Sequence, residues 1–426
     1  MLDPKFIRDN IDAVKTALKN RNEDISIIDK FLKLDETRKK QVNDTETLKR
    51  QKNESSRKIG ELIKAKKDVK SAKDEVNALT GKINGLDEEL KKTEKEYKAI
   101  LDSIPNIPHE SVPVGSNEKD NRMVKEEGSK PKLSFDPRDH IELGKINGLF
   151  DLERAAKITG SGFPLYMGQG AKLERALINF MLDIHTKKHG YKEVFPSFLV
   201  NRSSMRGTGQ LPKLEEDMYR LSEDDLFLIP TAEVPVTNIH ADEVLKETDL
   251  PIYYTAYTAC FRREAGSYGK DTKGLIRVHQ FNKVEMVKFT RPEDSMDELE
   301  KLLIDAEDIL KRLELPYRVR ELCTADISFA AHKCYDIELW APGSDQWLEV
   351  SSCSTFSDFQ ARRVNIKYKP AGGAQKTEYV HTLNGSGVAL PRLVVALLEI
   401  HQNKDGSVTV PKALRPYFGG KIIKSS

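Results

Sequence analysis

FRREAGSYGKDTKGLIRVHQFNKVE, residues Phe261 to Glu285, lies between two segments that alternate like strands, Tyr253 to Phe261 and Ile276 to Phe289. Gly266, Gly269 and Gly274 punctuate the middle, so the pattern predicts an antiparallel hairpin with a long loop. A loop of that length can wrap a ligand. Arg262 and Arg277 place planar donor forks at the strand ends, suited to phosphate oxygens, and Phe281 offers a ring on which a base can stack. Glu285 supplies an inward carboxylate. A lone Arg-x-Glu would be better read as a solvated hairpin with surface charges; the length and order of this stretch weigh against that.

At 426 residues the chain has room for two or three domains, one of them with a large core. Lys and Arg exceed Asp and Glu by 69 − 67 = +2, so total charge announces no nucleic-acid binder and any such argument must be local. Cys260, Cys323, Cys334 and Cys353 form no Cys-x-x-Cys pair and have no histidine at metal-ligand spacing, which predicts reduced thiols in a cytosolic protein rather than a zinc site. No stretch approaches the roughly 20 apolar residues of a membrane span. The start, MLDPKFI, lacks the apolar core of a signal peptide. The expectation is a cytoplasmic protein with no membrane partner.

Pro4 to about Asn22 carries Ile7, Ile11, Val14 and Leu18 at helical spacing and predicts one short amphipathic helix. From Ile27 to Ile104 the composition turns to Lys, Glu, Asp and Asn. There Val76, Leu79, Ile83, Leu86, Leu90, Thr93, Tyr97, Ile100 and Ile104 alternate steps of three and four, a coiled-coil seam. Phe31, Leu34, Arg38, Gln41, Thr45, Leu48, Lys52, Ser55, Ile59 and Leu62 repeat it with a polar middle. Two antiparallel helices joined near Lys64 to Ser71 follow, each roughly 35 residues or about 50 Å long. Lys49, Arg50, Lys52, Arg57, Lys58, Lys64, Lys66, Lys67 and Lys70 face only Glu54, Glu61 and Asp68. Such a run is ordinarily a solvated helix face, whereas on an arm it can meet RNA phosphates. Pro105, Pro108, Pro113 and the polar stretch Gly115 to Pro131 predict an extended linker. The expected layout is a helical arm at 1–110, a linker at 111–134 and an α+β domain at 135–426.

Within that domain, Gly170 to Met181 reads as an amphipathic helix and Gly190 to Pro196 as entry to a strand. Pro230-Thr231-Ala232-Glu233 follows the apolar strand Phe227-Leu228-Ile229; in isolation the Thr and Glu would be helix caps. Trp347 to Ser354 alternates as a strand that puts Glu349, Ser351 and Cys353 on one face. Alone, that would be edge-strand polarity. Thr382 to Glu399 joins a turn of small residues to an apolar helix with Arg392 in its first turn, where the helix N-terminus favours phosphate. A lone arginine after a proline would be a structural cap. No G-x-x-x-x-G-K-[ST] is present, and no G-x-G-x-x-G follows a strand and opens a helix, so neither a P-loop nor a Rossmann site is supported.

Taken in order, these stretches resemble the class II aminoacyl-tRNA synthetases. The run F-R-x-E-A-G-S-x-G-K-D-T-x-G-L-I-R-V-H-Q-F-x-K-V-E is similar to motif 2 of the seryl-tRNA synthetase family in particular. Gly170 to Pro196 resembles motif 1, which builds the dimer interface in that class, and Thr382 to Glu399 resembles motif 3. With the tail Val410 to Tyr417 the likeness runs from Met1 to about Gly420. It implies an antiparallel coiled-coil arm that grips the variable arm of tRNA(Ser), then an α+β catalytic domain on a mostly antiparallel sheet, assembled as a homodimer. The implied reaction uses ATP to make seryl-adenylate from L-serine and transfers serine to the tRNA 3′ end, with tRNA(Sec) left open as a second acceptor.

The same resemblance implies catalytic roles for Arg262, Glu349 and Arg392, with Mg²⁺ held by Glu349 and Ser352. ATP contacts are implied at Arg262, Arg263, Glu264, Arg277, Val278, Phe281, Glu349, Val350, Ser351, Ser352 and Arg392. The serine pocket is implied at Thr231, Ala232, Glu233, Arg262, Glu285, Asn384 and Ser386. Serine's ammonium needs a fixed acceptor and its hydroxyl a polar partner that an alanine would leave unpaired. Glu233 and Glu285 are the acids on offer, in either assignment. Two positions depart from the family pattern: Gly162 stands where G-S-R-F has arginine, and Ser197 where motif 1 has proline, with Pro196 one place early. Two other classes remain in view. A non-catalytic tRNA-binding adaptor predicts broken motifs, yet Arg262, Glu349 and Arg392 are all present; a ligase that charges a carrier protein would not need a basic arm.

Overall fold

The computed structural model describes residues 1–265, 273–372 and 376–424; Gly266 and Gly269 of the expected loop lie outside them. The chain divides into two compact units, Leu2–Pro105 and Asn106–Ser426. In the first, the expected single helix is two, α1 (Pro4–Asp9) and α2 (Ile11–Asn20). Asn10 breaks them: it leaves helical dihedrals (φ −134°, ψ 42°), and its side-chain amide donates to the Phe6 carbonyl at 3.0 Å. Asparagine competes with the helical ladder in just this way.

Helices α3 (Ser26–Lys64) and α4 (Lys70–Ser103) form the expected antiparallel pair. Every seam position is sheltered while the residues between are mostly exposed, with Phe31, Thr45, Ser55 and Ile83 fully buried. Near the open end Phe31 packs on Tyr97, ring centroids 5.3 Å apart. Where the α3 seam turns polar, pairs take over: Arg38 with Glu94 (3.3 Å), Lys49 with Asp87 (3.0 Å), and the Ser55 hydroxyl donating to Glu75 (3.3 Å). Exposed pairs of this kind contribute about 0–1 kcal/mol each, so they fix register more than they stabilise. The distal basic residues, Lys52 excepted, are exposed.

The second unit is built on an eight-stranded sheet. Its strands are β1 (Arg122–Glu127), β2 (Lys192–Glu193), β3 (Ile252–Phe261), β4 (Gln280–Thr290), β5 (Tyr317–Glu321), β6 (Lys333–Ala341), β7 (Gln346–Thr355) and β8 (His381–Ala389). They run in the order β1-β5-β6-β7-β8-β4-β3-β2, antiparallel throughout except for the β2–β3 pairing. On one face pack α5 (Gly168–Lys187), α7 (Ser295–Arg312) and α9 (Leu390–Ile400), through Leu173, Leu177, Leu299, Leu302 and Leu397. On the other, α6 (Glu233–Thr237) and α8 (Phe359–Val364) bury Val236, Ala361 and Val364 against Ala256, Val287 and Phe289.

Three expectations change here. Residues expected as linker include β1, an edge strand whose RMVKEE sequence is mostly exposed. It is held by its ladder to β5 and by an Arg122–Glu321 ion pair, so no apolar alternation advertises it. The second strand of the hairpin begins at Gln280, not Ile276; Leu275, Ile276 and Val278 are buried in the approach to it, and burial rather than strand pairing produced their pattern. Thr382 to Val388 is strand, not turn. Its glycines mark close approach: a Cβ on Gly385 would stand 2.9 Å from the Cys353 sulfur, and one on Gly387 2.4 Å from His185 Nε2. All four cysteines are buried and free, and no helix among the described residues is long and apolar enough to cross a membrane.

Candidate active site

Strands β4, β7 and β8 carry one wall of a cavity of about 480 Å³. Such a volume suits a small-molecule ligand. Of the residues singled out above, Thr231, Glu233, Arg262, Glu264, Arg277, Val278, Phe281, Glu349, Val350, Ser351, Ser352, Asn384, Ser386 and Arg392 line it. Glu285 stands directly behind the lining, 1% exposed. Ala232 does not reach the cavity but is buried against Val287 and Phe289, and Arg263 is exposed, its backbone N–H donating to the Asp217 carbonyl (2.9 Å).

At one end two acids lie close together. The Glu285 carboxylate accepts from the Thr231 hydroxyl (2.7 Å) and Lys283 (2.5 Å), and Asn384 bridges to both Glu285 (3.1 Å) and Glu233 (3.3 Å). Glu233 has no cation in contact among the described residues. Burial, and then the charge of Glu285, push its carboxyl up to about 7, opposed by the Gln360 hydrogen bond, Lys283 and Arg262. Lys283 and Gln360 were not among the expected site residues. Lys283 was hidden as one more hairpin charge, although its two-residue spacing from Phe281 and Glu285 puts all three on one strand face; Gln360, far along the chain, left no local signal.

At the other end the cations already have partners. Arg277 meets Glu264 at 2.8 Å, and Arg392 lies 3.5 Å from the Glu349 carboxylate while donating to the carbonyls of Ile276 (3.0 Å) and Glu349 (2.9 Å). Arg262 sits between the two ends, its Nε donating to Pro230 (3.3 Å) and its guanidinium 5.2 Å from the centre of the Phe281 ring. The hairpin is pinned twice. His140 accepts from the Leu275 N–H at Nε2 (3.2 Å), which leaves Nδ1–H to face Glu399 of α9 at 3.0 Å. His279 donates its backbone N–H to the Gly162 carbonyl (2.8 Å). Gly162 has φ +81°, and a Cβ there would lie 2.5 Å from the His279 ring, so this backbone path and this ring position leave no room for a side chain.

The sequence reading placed Glu349, Ser351 and Cys353 on one face of β7; the structure separates them. A bulge at Val350 pairs Ile337 with Ser351 but Glu338 with Glu349 and reverses the alternation. Glu349, Ser352 and Ser354 line the cavity together with the buried Ser351, whose hydroxyl donates to the Ser386 carbonyl (2.6 Å), whereas Cys353 is in the main core. Asp336, opposite Ser352 on β6, is raised well above the ordinary carboxylate range by burial and by the charge of Glu349.

An antiparallel sheet whose central strands present an arginine–glutamate hairpin, an acid-and-serine strand and a helix-opening arginine defines a class II aminoacyl-tRNA synthetase core. Residues 215–401 match the family model for the tRNA synthetase class II core domain (G, H, P, S and T), and residues 1–108 that for the seryl-tRNA synthetase N-terminal domain. A serine–tRNA ligase of Trichlorobacter lovleyi is 55% identical over the full length of both chains. Two solved structures are similar over all of this chain: seryl-tRNA synthetase from Pyrococcus horikoshii complexed with ATP (TM-score 0.92, 38% identical, 100% of that chain), and a cytoplasmic serine–tRNA ligase from Naegleria fowleri in complex with AMP (0.86, 30%, 99%). The chain belongs to the seryl-tRNA synthetase family.

Proposed function

We propose that this chain activates L-serine with ATP and transfers it to the 3′ end of tRNA(Ser). The observation that carries this reading is the convergence, in one cavity, of a buried two-acid pocket with an arginine-lined groove, joined at Arg262. Serine's ammonium and hydroxyl go to the acidic end; the adenine stacks on Phe281, and the phosphates run past Arg262 toward Arg392. Serine's carboxylate attacks the α-phosphorus and pyrophosphate leaves. No proton transfer is needed in that step, so positioning and charge neutralisation are the catalytic tasks. Arg262, between the two substrates, is placed to neutralise the α-phosphoryl oxygens, and Arg392 the far phosphates.

Glu349 and Ser352 fit a Mg²⁺ ion: they are hard oxygen donors brought to one side of the strand by the Val350 bulge, and Glu349 keeps 47% of its side-chain surface open. Bound there, the ion would neutralise phosphate charge. The arm's exposed basic residues are assigned to tRNA phosphates. The homodimer interface is assigned to the motif 1 face. There Phe195 is 73% exposed although it lies near Phe198 and Tyr257, with ring centroids 5.9 and 6.4 Å away. A cytoplasmic location goes with this reading.

The test is pyrophosphate exchange by the purified protein, expected with serine; exchange with another amino acid and none with serine overturns the assignment. Replacing about Asp35 to Ser103 by a short linker should leave exchange nearly intact and abolish aminoacylation. Equal loss of both would mean that the arm supports the catalytic unit itself.

A further inference from the structure

Gln360 carries a role that the activity alone does not assign. It lies in the first turn of α8 and is fully buried. All of its polar atoms are committed. Its side-chain N–H groups donate to the Glu233 carboxylate (2.6 Å) and to the Thr208 carbonyl (3.2 Å), and its carbonyl oxygen accepts from the Thr382 hydroxyl (2.7 Å). Thr382 is itself fully buried on β8, two residues before Asn384. The amide therefore cannot flip without placing its oxygen against two acceptors, the Glu233 carboxylate and the Thr208 carbonyl.

The two acids differ in what holds them. Glu285 is fixed by a cation, a hydroxyl and an amide. Among the described residues Glu233 has only neutral donors in contact, Gln360 at 2.6 Å and Asn384 at a longer 3.3 Å. A buried carboxylate held by so little needs its one short bond to keep both its charge and its rotamer. We propose that Gln360, oriented by Thr382, is a positioning residue for amino-acid recognition: it clamps one oxygen of Glu233, so that the carboxylate meets the donor groups of serine as a pre-set acceptor. This rests on the serine-activation reading above. Gln360 touches no substrate; it acts through Glu233.

The role separates from a merely structural one by what it changes. Glu233 is faced by Glu285 and Lys283 from β4 and by Arg262 beyond β3, none of which the substitutions below change. Removing the Gln360 donor takes away a contact that favours the ionised form, so Glu233 should protonate at higher pH. Gln360→Met, nearly the same volume without the donors, should raise the KM for serine roughly tenfold and leave the KM for ATP within about twofold. It should also move the acid limb of kcat/KM for serine to higher pH. Thr382→Val keeps Gln360 but frees its amide, and should do the same by about threefold.

The experiment is serine-dependent pyrophosphate exchange across pH for the wild-type chain and both variants. Wild-type exchange with serine tests the activity; only the variant-to-wild-type ratios test Gln360. An unchanged serine KM, a rise shared equally by serine and ATP, or an unmoved acid limb would each overturn the proposal. Should Gln360→Met fail to fold, the Thr382→Val ratios decide it by the same criteria.

Discussion

At the acidic end of the cavity Thr231, Glu233, Lys283 and Glu285 are each no more than 7% exposed, whereas at the arginine end the Glu349 side chain keeps 47% of its surface and Arg277 35%. Thr231, Lys283 and Glu285 are locked to one another by bonds of 2.5 to 2.8 Å, and Glu233 is held beside them by Gln360 at 2.6 Å. The arginine groups are paired with glutamates that a polyanion can displace. On the proposed function, the contrast follows the ligands. A small zwitterion offers few contacts, so recognition needs desolvated acceptors already in place, and that preorganisation is done by folding. A triphosphate arrives with several negative charges and a cation, and can reorganise an exposed set of ion pairs as it binds.

The largest test of this contrast is at the junction. Arg262→Ala should reduce pyrophosphate exchange on the order of 10³-fold, the scale for a group that meets developing charge, with thermal unfolding nearly unchanged. Substantial residual exchange would place the α-phosphate elsewhere.

The next test makes the same change at both ends. Glu285→Gln leaves Lys283 buried beside an uncharged partner and should cost about 3–5 kcal/mol in urea unfolding, whereas Glu349→Gln should cost less than about 1 kcal/mol because its pair is exposed. Equal costs would erase the distinction.

A third concerns pH. Glu233 is raised from an ordinary 4.5 to about 7, so between those values the folded chain binds more protons than the unfolded one. Its contribution is fully present below about pH 4.5 and is lost, on the order of 3 kcal/mol, as pH rises through 7. Glu174, also raised to about 7 by burial, acts in the same direction. Glu233→Gln should flatten this part of the unfolding profile. The smallest effect is at the rim: Arg277→Ala should raise the KM for ATP severalfold at low salt and less at high salt, since its partner exchange is screened.

The sequence by itself determined the parts whose physics is local. The seams of α3 and α4 follow from heptad spacing, because a helix face is set by residues three and four apart. The order of the hairpin, the acid strand and the helix with Arg392 likewise needed only short-range pattern. Tertiary structure decided the rest. β1 was invisible because an edge strand is held by backbone pairing that charges and turns do not reveal. The face of Ser352 was settled by a bulge one residue long, for a strand's side-chain period of two reverses with a single insertion. Lys283 and Gln360 joined the acidic pocket, and Glu233 acquired its raised pKa, only when strands and helices distant in sequence closed over them, because desolvation and mutual charge are properties of the packed site and not of any one segment.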